Sequence, residues 1–290
     1  GGGDFKVSTA GNWDCGRVPG LGDAVIIDST NDSINWDDPS IILLSIVLDT
    51  GFTGTITQTQ VISVIPLTIN AGTWDTNGRN LVILGDFTIG ANGTFLNTSG
   101  TLIANGNLDV DFYDNSTSGQ NLGVVSLESD NPVTHDFFTD ITLKSLFIQG
   151  GDGIRFNTNT ITFTGSGLVL DNNGSFHRGT SHTIFNCSAD CSSNNTTLYH
   201  MTINNATSDI TYSLAVNTTI YGDVNLTKGI FRRYSDTCSE FGCNMTIKGD
   251  WTTTNGTLNT AIAPFIFNGS STQTITATSS THFGSVSISN

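Results

Sequence analysis

The chain has 290 residues, with 10 Lys plus Arg against 25 Asp plus Glu and a formal net charge of -15. Nucleic-acid binding rests on Lys and Arg replacing the counterions of phosphates, and an anionic membrane surface repels a chain of this sign, so both partner classes are excluded. Charged residues make up only 12% and hydrophobic residues 37%, alternating with Thr, Ser and Asn, which excludes a disordered chain and points to strands with uncharged outer faces.

The chain opens with Gly1-Gly2-Gly3-Asp4, read as a trimmed mature end or as an artificial boundary. Residues 1–28 are expected to form an N-terminal arm and an opening coil. Short strand patterns follow at 24–27, 67–69, 81–84, 87–89, 146–148, 161–163, 168–170, 201–203, 219–221, 245–247 and 286–288. Each is bounded by Gly, Asn, Asp or Ser, residues that accept turn conformations. The longest apolar run, 41–48, is strand-length and far short of the roughly 18 residues of a membrane-spanning helix. No stretch carries helical apolar spacing, so the expected class is all-β.

One phrase occurs three times. Asn92-Gly93-Thr94-Phe95, Asn173-Gly174-Ser175-Phe176 and Asn255-Gly256-Thr257-Leu258 stand at steps of 81 and 82 residues. Apolar strands ending in Asn105, Asn186 and Asn268 follow at the same steps, and 80–87 matches 244–251 at twice the period. A register held over the chain marks a repeat architecture. The expectation is a right-handed parallel β-helix, a β-solenoid continuous over 29–290. Its three degenerate repeats of about 81 residues have landmarks near 80–106, 161–187 and 244–269, each repeat holding about four coils. The alternative is an array of β-sandwich domains, because Asn-Gly pairs also suit tight hairpins.

The segment from Asn12-Trp13 through Gly16, Val18-Pro19 and Gly22-Asp23 to Val25 and Ile27 reads as N-W-x-x-G-x-V-P-x-x-G-D-x-V-x-I. It resembles the opening of large secreted β-strand-repeat proteins of prokaryotes, adhesin-like and surface-layer-like. The phrases at 72–87 and 265–289 resemble the repeats of the same family. The resemblance implies a right-handed parallel β-helix on the outside of a cell. It implies no catalytic site, since that family mostly provides scaffolds.

Cys187 with Cys191 and Cys238 with Cys243 are spaced as two local disulfides, suited to an oxidising compartment. Cys15 is left over, read as free and buried in the first coil or as a link to another chain. Fourteen Asn-x-Ser/Thr sequons are glycosylation candidates: Asn31, Asn92, Asn97, Asn115, Asn173, Asn186, Asn194, Asn195, Asn205, Asn217, Asn225, Asn244, Asn255 and Asn268. The competing explanation is that Asn fills turns and Thr fills strands. Asp109, Asp111 and Asp114 are the candidate oxygen ligands for a structural calcium, two on one strand face and one in a turn.

No nucleophile elbow, zinc-protease or phosphate-loop motif is present, and the five His residues are scattered. No cofactor other than that calcium is expected. The leading expectation is an extracellular structural protein: a self-assembling glycosylated filament, a surface-layer subunit or an adhesin stalk. Its partner would be itself, head to tail through the termini, so that deleting 281–290 abolishes polymers; cell-surface glycans are the other partner class. The alternative is a carbohydrate-active or carbohydrate-binding β-helix, with Arg232, Arg233, Tyr234 and Asp236 as the nominated cluster and Trp36, Tyr199 and Tyr234 as exposed sugar platforms. Trp74 and Trp251 fall at core-phase positions.

Overall fold

A computed structural model describes residues 4–28, 31–38, 43–106, 109–117, 119–129, 132–195, 197–214, 216–232, 244–259, 264–278 and 283–289. Among them there is no α-helix, and so no helix long and apolar enough to cross a membrane. The protein is a parallel β-solenoid. Its chain divides into two compact units, Gly1–Thr142 with Ile148–Ile154, and Leu143–Phe147 with Arg155–Asn290.

In the first unit three parallel ladders enclose one core. The first stacks Ala24–Ile27, Ser45–Leu48, the start of Leu67–Asp75, the start of Phe87–Leu96, Asp111–Asp114 and Thr134–Phe137. Its register places Val25, Ile46, Leu67, Phe87, Phe112 and Phe137 in one column, all buried. A second ladder pairs Ile34 with Ile56, Ile56 with Trp74 and Trp74 with Phe95. The third pairs Ile62 with Leu81, Leu81 with Leu102 and Leu102 with Val125. Strand alternation sends every second residue inward, so short apolar/polar runs suffice to fill a core shared by all coils. Phe87 and Phe95, with ring centroids 4.9 Å apart edge to face, tie the first two ladders across that core.

The second unit repeats the scheme. Ile161, Thr183, Met201, Val224, Trp251 and Ile275 align in one ladder. Cys191, Tyr212, Phe231 and Leu258 align in another, and Leu198, Ile220, Ile247, Phe267 and Ile288 in a third. The pairings throughout are parallel, which rules out the sandwich array. Each repeat landmark is one coil that closes on itself. Leu81–Ile83 pairs with Thr101–Ala104, Thr160–Phe163 with His182–Phe185, and Met245–Ile247 with Phe265–Phe267.

The Asn-Gly pairs of the repeated phrase are not hairpin turns. Gly93, Gly174 and Gly256 have no positive φ. A Cβ on Gly93 would stand 1.9 Å from the carbonyl oxygen of Ile69, one coil earlier. Glycine is needed there so that two coils can touch through their backbones.

The opening motif has a physical reason at nearly every position. Asn12 donates to the Asp4 carboxylate and to Lys6 O, both at 2.8 Å. The Trp13 indole donates to Val7 O at 2.8 Å, holding the arm. The arm pairs Lys6 with Asn35 and buries Val7 over the first coil. Gly16 and Gly22 adopt φ of 65° and 81°, the left-handed region that favours glycine. Asp23 receives the Arg17 fork at 2.6 and 2.8 Å and the Gly20 N–H at 2.6 Å. Val25 and Ile27 then begin the core.

Candidate functional site

The densest chemistry lies on the first ladder of the first unit. Asp86, Asp111 and Asp136 precede Phe87, Phe112 and Phe137 of the core column, and Asp111 is the direct register partner of Asp136. The Asp111 backbone N–H donates to Asp86 at 3.3 Å. Among the described residues, Asp109, Asp111 and Asp136 bring carboxylate oxygens within 4.8 Å of one another. Burial, followed by the charges of Asp109, Asp86 and Asp136, pushes the Asp111 carboxyl up to about 6. One Asp111 oxygen is buried and has no hydrogen-bond partner. Such oxygens are the donor type a hard cation takes.

Asp114 does not belong to this group, contrary to the expected calcium set. It lies an odd number of residues from Asp111, and strand alternation turns it inward. Its carboxylate accepts from Ser116 N–H at 3.0 Å, Ser116 Oγ at 2.6 Å and Gln120 N–H at 2.5 Å, closing the loop after the strand. Asp136 takes its place from one coil later. A signal for this was in the sequence: the dipeptide Asp-Phe recurs at 86–87, 111–112 and 136–137, at even steps of 25.

Outside the acids runs an aromatic row. Tyr113 and Phe138 stack with ring centroids 5.0 Å apart and planes 6° apart, and Phe138 is 46% exposed. The Tyr113 hydroxyl lies 3.4 Å from Asp111 Oδ2. The nominated sugar platforms fare differently. Trp36 is buried against Trp74 at 5.6 Å, and Tyr199 is half-buried beside the His200 ring at 4.8 Å. Trp74 and Trp251 are core residues, as their phase predicted. Of the nominated basic cluster only Arg232 is described; Arg233, Tyr234 and Asp236 lie outside the described residues.

Ser129, His135 and Asp109 imitate a hydrolytic triad without its chemistry. Ser129 Oγ is 3.4 Å from His135 Nε2, and Asp109 Oδ1 is 3.9 Å from His135 Nδ1. The Val110 backbone N–H donates to that Nδ1 at 3.0 Å, however, so Nδ1 accepts and the neutral ring carries its proton on Nε2. A ring in that tautomer cannot take the serine proton. Burial also holds the His135 pKa below its usual value and disfavours the cation.

The sequons divide by burial. Asn31, Asn92, Asn115, Asn173, Asn217, Asn255 and Asn268 are exposed, and Asn186, Asn194, Asn225 and Asn244 are half-buried. Asn97, Asn195 and Asn205 are buried. Their amide nitrogens donate to backbone carbonyls: Asn97 to Leu122 at 2.8 Å, Asn195 to Thr197 at 2.8 Å and Asn205 to Ile210 at 2.9 Å. Each follows an inward-facing strand residue by two positions (Phe95, Ser193 and Ile203), so alternation already pointed them inward.

Cys187 and Cys191 form a disulfide, buried at both ends. Cys238 and Cys243 lie outside the described residues. Cys15 is unpaired but exposed, not buried in the first coil, and its thiol points to Arg17 O at 3.4 Å. It lines a groove of about 820 Å³ together with Phe5, Trp13, Ala24, Ile26 and Asp28. The strand Ala24–Ile27 lines that groove, and among the described residues it pairs along one edge only, with Ser45–Leu48. No family model, curated protein or solved structure matches this chain.

Proposed function

We propose that this chain is a structural protein of an extracellular assembly, whose copies stack end to end through their sheet edges. The observation that carries the reading is the groove along Ala24–Ile27. Among the described residues no strand pairs with its outer edge, and Ile26 beside it is 62% exposed. A free parallel edge next to apolar side chains is a template for another strand. The occupant is the Val286–Ile288 strand of a second copy. That strand pairs on one side with Phe265–Phe267, and its Val286 and Ile288 stand in register with the buried Phe265 and Phe267 while themselves exposed. Joining these unlike edges is heterologous, and a heterologous contact whose rotation does not close into a ring propagates as a filament. The Cys187–Cys191 disulfide fits an oxidising compartment. Negative-stain microscopy and sedimentation of the purified chain test the reading. Filaments are expected for the wild type and their loss for Ile26→Lys, because an edge lysine blocks strand addition. A wild type that stays monomeric at high concentration, or an Ile26→Lys protein that still polymerises, overturns it.

A second reading, a carbohydrate-binding surface, is favoured by one feature. The flat Tyr113–Phe138 pair stands beside carboxylates that accept hydrogen bonds from hydroxyls. Affinity electrophoresis in soluble polysaccharides decides it: retardation of the wild type that Phe138→Ala abolishes supports a sugar platform, and equal mobility in every gel removes it.

A further inference from the structure

We infer that Asn31, Asn92, Asn115, Asn255 and Asn268 carry N-linked glycans, whereas the buried sequons Asn97, Asn195 and Asn205 stay unmodified as hydrogen-bonding staples. Composition alone leaves the sequons explicable as a by-product of turns. The structure separates the two explanations, because an asparagine that serves the fold shows its work.

The three buried side chains do so on both sides of the amide. Asn97 Oδ1 accepts from the Thr76 hydroxyl at 3.2 Å while its Nδ2 donates to Leu122 O, linking residues of neighbouring coils. Asn195 Oδ1 accepts from Asn172 Nδ2 at 3.1 Å, and Asn205 Oδ1 from the Cys187 N–H at 3.2 Å. A sugar on any of these nitrogens would replace one of its two N–H donors and would need space that close packing does not leave.

The five proposed carriers have no such task. All are exposed, and among the described residues no hydrogen bond engages their side-chain amides. Backbone conformation does not call for asparagine at these positions either. The asparagines with positive φ, where the residue type is favoured, are Asn77 at 48° and Asn157 at 53°. Neither is followed two residues later by Ser or Thr. The turn explanation therefore accounts for asparagines outside the sequons and leaves these five unexplained, whereas the exposed Asn173 donates to Asp171 and Asn217 accepts from the Asn244 N–H. Attached glycans would also solvate a surface on which charged residues are scarce.

The transfer needs a lipid-linked oligosaccharide as donor. The asparagine Nδ2 bonds to the anomeric carbon, and the bond from that carbon to the phosphate oxygen breaks. The lipid phosphate leaves with the electron pair, and Nδ2 gives up one proton. A transferase reads the hydroxyl residue at the third position of the sequon. The inference shares with the proposed function only the requirement for export; polymerisation is measured separately, so either can fail alone.

The test is glycopeptide mass spectrometry on the protein purified from its natural source, after enzymatic deamidation of glycosylated asparagines in ¹⁸O-water. Label is expected at the five exposed positions and none at Asn97, Asn195 or Asn205. Absence of label at all five, or label at any buried position in folded protein, overturns the inference. Two variants guard the interpretation. Asn92→Gln is expected to lose one glycan mass and keep the thermal midpoint, and Asn97→Gln to keep the glycan mass and lower the midpoint. The reverse pattern counts equally against the proposal.

Discussion

Two aspartates of the first unit respond to pH in opposite directions. Asp111 is raised from 3.8 to about 6 by burial and by the carboxylates of Asp109, Asp86 and Asp136. The folded state thus holds a proton that the unfolded chain has released, and stability falls as pH rises through that window. Asp111→Asn is expected to raise the thermal midpoint at pH 7, with the difference from wild type shrinking toward pH 4; a lower midpoint at pH 7 would contradict the assignment. Asp23 is lowered from 3.8 to about 2 by the Arg17 fork and the Gly20 N–H. Its contribution is present above pH 4 and lost as pH falls toward 2. Arg17→Ala should therefore reduce stability at pH 6 and approach wild type near pH 2, read by circular dichroism against temperature. Asp23 finds its partners within its own loop, but Asp111 lies where single-strand reasoning has limited reach. The Asp111 environment comes from coils 25 residues away on each side, and only the recurring Asp-Phe dipeptide betrays it.

At the scale of strands and coils, alternation was legible in most of the expected strands. Val25, Leu67, Leu81, Phe87, Ile161, Met201 and Met245 all face inward where their patterns put them. What alternation cannot show is how near one coil comes to the next. Gly93 was read as part of a turn because a neighbour 24 residues back in sequence, the Ile69 carbonyl, is invisible to a local pattern. Trp36 looked like a free aromatic for the same reason: it is covered by Trp74, two positions along in its ladder. The Cys187–Cys191 bridge was legible from spacing alone. It closes a very short loop, so the chain-entropy account gives it about 2 kcal/mol. The double variant Cys187→Ser, Cys191→Ser is expected to lose roughly that amount in urea unfolding; a loss near zero would mean that the second unit holds this corner without the bridge.

For the whole molecule, the threefold phrase announced a solenoid before any strand was paired, because only stacked units keep a register over such distances. The function was less legible, since the sequence carries no catalytic motif whose spacing can be recognised. The groove along Ala24–Ile27 and the acidic cluster of Asp109, Asp111 and Asp136 exist only once the coils are stacked. If edges join copies, the folded state is linked to association, and the thermal midpoint should rise with protein concentration. A midpoint constant over a hundredfold dilution series would speak against that linkage, and Ile26→Lys should flatten the dependence.

The column Val25, Ile46, Leu67, Phe87, Phe112 and Phe137 advances by 21, 21, 20, 25 and 25 residues, yet each advance is one strand spacing. Hydrogen bonding fixes that spacing at about 4.8 Å whatever the coil contains. Length along the ladder is thus counted in turns and not in residues. A peptide of several residues spliced into a corner leaves the pitch unchanged, whereas removing one whole turn shortens the ladder by a single quantum. Within the first unit the ladder is thus a scale graduated by its backbone, indifferent to how many residues each coil spends between two marks.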